Sequence, residues 1–119
     1  MLGADHVSAA EAAQTPLDAD FQRFITEVAW GSVWARPGLD RRTRSLVTIA
    51  ILAALGRDEL ALHLRASRNT GVDPQEIAET LLHVAVYAGL PAANHAFATA
   101  KAALGAPGAA PPGSEGGRP

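Results

Sequence analysis

Apolar residues recur at three- and four-residue spacing along most of the chain. Leu17, Phe21, Phe24, Ile25 and Val28 mark one face of a first helix over residues 16–28, with Thr15 as its N-cap before Pro16. A second helix is predicted from Arg41 to Leu55, opened by Asp40 and closed by Gly56. From Leu46 onward it is apolar nearly all round, a pattern that predicts burial on several sides. A third helix is expected over residues 58–69, stopping at Gly71. Asp73, Pro74 and Glu76 then open a fourth, which runs to Tyr87 and stops at Gly89, and Pro91 opens a fifth through Leu104. No stretch alternates with period two for long enough to predict a strand. The expected fold class is all-α, with five helices.

Composition narrows this picture. Residues 105–119 hold five Gly and four Pro and almost nothing large and apolar, so they are expected to form a disordered tail behind a single helical domain of residues 1–104. Of the 119 residues 26 are alanine, which favours closely packed helices but leaves one chain short of core, so self-association is expected. Cysteine is absent, which excludes disulfides, thiolate metal sites and thiol redox chemistry. The longest apolar run, residues 49–55, falls far short of the roughly 20 needed to span a bilayer. The first fifteen residues lack the basic and apolar regions of a signal peptide. A cytoplasmic location and no membrane partner are the expectation.

Three groups of residues carry candidate chemistry. Seven of the nine arginines, Arg36, Arg41, Arg42, Arg44, Arg57, Arg65 and Arg68, lie between positions 36 and 68, against Asp40, Asp58 and Glu59. That segment therefore carries +4 in a chain whose formal net charge is -2. Guanidinium forks match carboxylates and phosphates, so an anion pocket is one reading, and a solvated face with local ion pairs is the other. With so few basic residues overall and no binding motif, nucleic acid is not an expected partner. Glu59 and His63 stand one helical turn apart. A carboxylate so placed orients an imidazole and raises its pKa, although a surface pair without a task has the same spacing. His83 and Tyr87 share a face near the end of the fourth helix, and the other histidines are too scattered for a metal site. Trp30 and Trp34, also one turn apart, read as core or interface anchors.

In order along the chain, these segments resemble the carboxymuconolactone decarboxylase family over roughly residues 2–104. The matching stretches are Leu-Gly-Ala-Asp-His-Val near the start, Trp-Gly-Ser-Val-Trp-Ala-Arg-Pro-Gly-Leu-Asp-Arg-Arg-Thr-Arg, Glu-Leu-Ala-Leu-His-Leu-Arg-Ala, Gly-Val-Asp-Pro-Gln-Glu-Ile-Ala and Tyr-Ala-Gly-Leu-Pro-Ala-Ala-Asn. The wider AhpD-like superfamily also contains thiol peroxidases that carry CxxC followed four residues later by His. Those positions fall here on Gly56, Glu59 and His63, so the chain resembles the decarboxylase branch.

The resemblance implies a compact bundle of about five to six helices assembling into a ring-like homo-oligomer, commonly a hexamer, with a trimer as the alternative. It also implies decarboxylation of 4-carboxymuconolactone to 4-oxoadipate enol-lactone and CO2, a step of protocatechuate breakdown through the β-ketoadipate pathway. The substrate is a dicarboxylate lactone, with one carboxylate on the γ-carbon of a butenolide and a second on an acetate arm. Losing CO2 leaves electrons that conjugate into the lactone carbonyl, so no cofactor or metal is expected. On this reading His63, oriented by Glu59, is the catalytic proton donor to the dienolate. Arg36 and Arg44 hold carboxylates, and His83 and Tyr87 are polar pocket groups. Two other classes remain open: another cofactor-free lyase or isomerase acting on a small carboxylated lactone, and a non-catalytic helical oligomer.

Overall fold

A computed structural model describes residues 2, 3, 9 and 12–105, and the expected tail therefore lies outside the described residues beyond Gly105. The described elements are α1 (Ala19–Ile25), a π-helical stretch (Thr26–Trp34), α2 (Arg41–Leu55), α3 (Leu60–Ala66) with a 3₁₀ turn (Ser67–Thr70), α4 (Pro74–Ala88) and α5 (Leu90–Gly105). No strand occurs among the described residues.

Local chemistry accounts for most of the boundaries. Asp40 accepts from the Thr43 N–H at 2.7 Å and starts α2, which ends where Gly56 turns left-handed at φ 68°. Asp73 and Glu76 form a reciprocal capping box around Pro74 at the start of α4. Gly89, at φ 104° and ψ 156°, then lets the chain reverse directly into α5.

Helices α2 to α5 build the core. Ile49, Leu64, Leu81 and Ala96 are fully buried at its centre, and Leu60, Ile77 and Val84 surround them. Each helix offers one stripe at helical spacing: Ile49 and Ala53, Leu60 and Leu64, Ile77 with Leu81 and Val84, and Ala93, Ala96, Ala100 and Ala103. The alanine stripe lets α5 approach α3 and α4 closely.

Two expectations need correcting. The first helix begins at Ala19, not Pro16, because Asp18 Oδ1 accepts from the Thr15 N–H at 2.7 Å and closes a turn around Pro16. It then continues with π winding to Trp34: the Ala35 N–H reaches back five residues to the Trp30 carbonyl at 3.0 Å, and Ser32 Oγ reaches the Glu27 carbonyl. Among the described residues this arm makes its main contacts within itself and buries no residue; Phe21 and Phe24 are each 59% exposed. The third helix is also shorter than expected, starting at Leu60 and tightening to 3₁₀ at Ser67.

Candidate active site

The six residues singled out from the sequence fall into three pairs. Arg36 follows the π-helical stretch, and Arg44 lies in the second turn of α2. The Arg44 Nη2 donates to the Arg36 carbonyl at 3.3 Å, which ties the loop between the two elements to α2. Arg44 is half-buried. Its Nε is buried and has no hydrogen-bond partner among the described residues, and the neighbouring Ser45 Oγ, equally buried, is in the same position. A guanidinium N–H withdrawn from water without an acceptor is unfavourable, and an anion or a polar ligand atom placed there would satisfy it.

Glu59 and His63 are joined through the backbone, the His63 N–H donating to the Glu59 carbonyl at 3.1 Å as α3 begins. Glu59 is exposed, and its side chain neither caps the helix nor forms an ion pair among the described residues; His63 is half-buried in the last turn. His83 and Tyr87 stack with ring centroids 5.0 Å apart, both exposed, with Tyr87 79% accessible. Trp30 and Trp34 meet at 5.7 Å on the π-helical stretch, half-buried. None of the six residues lines either of two apolar clefts beside α5. The larger, about 630 Å³, is walled by Leu82, Leu90, Pro91 and Phe97, and the smaller, about 180 Å³, by Ile77, Leu81 and Leu104.

The structure also distinguishes the arginines from one another. Arg42 grips Glu76 with two donors, its Nε at 3.1 Å from Oε1, and so fastens α2 to the start of α4. Arg68 donates to the Leu104 carbonyl at 3.3 Å, closing the end of α5 within the same chain. These two are structural. Arg36, Arg41, Arg57 and Arg65 are exposed and, like Arg44, have no carboxylate partner among the described residues; Arg44 differs in being half-buried, with its Nε withdrawn from water. Of the polar groups near it, Ser45 escaped the sequence reading: a serine inside an apolar helix carries no signal of its depth.

With this geometry in view, the comparisons with known proteins become informative. Residues 19–102 match the family model described as the carboxymuconolactone decarboxylase family. The chain belongs to the carboxymuconolactone decarboxylase family. Within it, the chain is 55% identical over 98 residues to the 4-carboxymuconolactone decarboxylase of Acinetobacter baylyi, covering 82% of this chain and 73% of that protein. It is 45% identical over 100 residues to the nitrosuccinic acid decarboxylase of Metarhizium robertsii, covering 82% and 68% respectively. An uncharacterised 15.0 kDa protein of Paracoccus denitrificans is 34% identical over 80 residues. The match to the family model runs from the start of α1 into α5, so all six candidate residues lie inside it.

Proposed function

We propose that the chain decarboxylates 4-carboxymuconolactone to 4-oxoadipate enol-lactone in the cytoplasm, without a cofactor, as a step of protocatechuate breakdown. The supporting observation is the 55% identity to a protein named for that reaction, extending across the helices that carry the candidate residues. The bond from the γ-carbon to its carboxylate breaks, the electron pair moves through the ring double bond into the lactone carbonyl, and CO2 leaves. A proton then adds at the α-carbon. Arg44, with Arg36 beside it, holds a carboxylate of the substrate. His63 delivers the proton or hydrogen-bonds the dienolate oxygen, with Glu59 one turn away to orient it. His83 and Tyr87 supply polar contacts.

The working form is a homo-oligomer, a hexamer by the family resemblance. The exposed apolar residues of the arm and of α2 and α4 support this. Phe21, Phe24 and Val28 form one seam, Val47, Ile51 and Leu55 a second, and Leu82, Val86 and Leu90 a third.

Incubation with 4-carboxymuconolactone should consume the substrate's ultraviolet absorbance and release CO2. His63→Ala should lower turnover by roughly 10²–10⁴ with assembly unchanged. A near-normal rate in that variant removes His63 from the proton transfer, and an inert wild-type chain overturns the proposed reaction.

A further inference from the structure

We propose that the unit this site recognises is a 2-substituted succinate: two carboxylates on adjacent carbons, the departing one on the carbon that also bears an electron-accepting group. The inference rests on the decarboxylase reading above and deepens it.

The proposed substrate contains this unit. Its γ-carbon carries both the carboxylate that leaves and the CH2–COO⁻ arm that stays, which together make a succinate. The butenolide ring is the third substituent, and its part in the reaction is to accept the electron pair. Any group that passes the pair to an oxygen performs the same task, so the ring is one acceptor among several.

Such a substrate requires an asymmetric grip on its two carboxylates. A fixed cation against the departing carboxylate would stabilise a charge that the transition state is losing, and so oppose the reaction. The retained carboxylate keeps its charge throughout and can be held firmly at no cost to the barrier. Arg44 suits the second role. It is half-buried, its Nε is buried without an acceptor among the described residues, and its Nη2 is anchored on the Arg36 carbonyl, so the guanidinium is fixed in place. A carboxylate of the retained arm would satisfy it as a fork. Arg23 and Arg42 are already paired with Asp20 and Glu76.

A ring-free probe separates the two halves of the proposal. In 2-acetylsuccinate the bond from C2 to its carboxylate breaks, the pair moves into the acetyl group as an enolate, CO2 leaves, and one proton adds at C2 to give 4-oxopentanoate. The wild-type protein should accelerate CO2 release from this diacid by roughly 10²-fold or more over the uncatalysed rate. Two comparison compounds keep the acceptor and the departing carboxylate but lose the charged arm: the methyl ester of the arm, and 2-methyl-3-oxobutanoate. Each should react at less than about one-tenth of the diacid's enzymatic rate. Arg44→Ala should abolish that preference, and Arg44→Lys should keep part of it.

Equal acceleration of all three compounds overturns recognition of the succinate unit. Turnover of 4-carboxymuconolactone with none of 2-acetylsuccinate overturns the class while leaving the proposed reaction standing. Turnover of 2-acetylsuccinate alone supports the class and removes the lactone reading, and inertness towards both overturns the two together. An Arg44→Ala protein that still prefers the diacid overturns the assignment of the arm to Arg44.

Discussion

Asp40 shows how much one side chain at a helix start contributes. Its hydrogen bonds with Thr43 favour the ionised carboxyl, with a smaller contribution from the Arg42 charge, and hold its pKa below the ordinary 3.8. A lowered folded-state pKa means that the cap stabilises the fold above the unfolded-state value and is lost as pH falls through the folded-state value. Melting curves of wild type and Asp40→Ala should therefore differ by a constant interval at neutral and mildly acidic pH, and the interval should shrink below about pH 4. At the same scale, the cluster of seven arginines was legible as a source of cations, but their individual tasks were not. Arg42 finds Glu76 and Arg68 finds the Leu104 carbonyl across 34 and 36 residues of chain, and only the packed fold brings such partners together. Arg44 stands out by its buried Nε without an acceptor among the described residues, which no local pattern records.

Among the elements, α2 and α4 were legible because their start signals are local and strong: Asp40 for one, the Asp73–Glu76 box for the other. The first helix was misplaced because Thr15 and Asp18 satisfy each other in a turn, which competes with helix initiation at Pro16. Its apolar seam was legible too, but a seam does not state which surface covers it, and among the described residues none buries it. Glu76 serves two elements, accepting from the Asp73 N–H at 3.0 Å and from Arg42. Glu76→Ala should cost about 1–2 kcal/mol in chemical denaturation, and part of that cost should disappear in an Arg42→Ala background, as a double-mutant cycle would read. Gly89 occupies a backbone region that side chains scarcely enter, so Gly89→Ala should destabilise by about 1–3 kcal/mol at an exposed-to-intermediate junction where no cavity is created.

For the molecule as a whole, the division is between a bundle that closes on itself and an arm that does not. No helix among the described residues is long and apolar enough to cross a membrane, and the exposed seams are apolar surface of the kind another protein face covers. Replacing Phe21 and Phe24 together by Ser should lower the sedimentation mass of the protein. The helical signal of the bundle should be retained, since neither side chain contributes to the core. The winding of the arm also carries a meaning of its own. In an α-helix each residue advances the chain by about 100°, whereas the five-residue reach from Ala35 to Trp30 accommodates one residue more in a turn. A one-residue deletion between Thr26 and Trp34 would thus act less as a shortening than as a rotation. It would swing Arg36 around the arm axis and carry the carbonyl that anchors Arg44 away from it. In this chain the count of residues in a single helical turn works as an angular setting on the contact between Arg36 and Arg44.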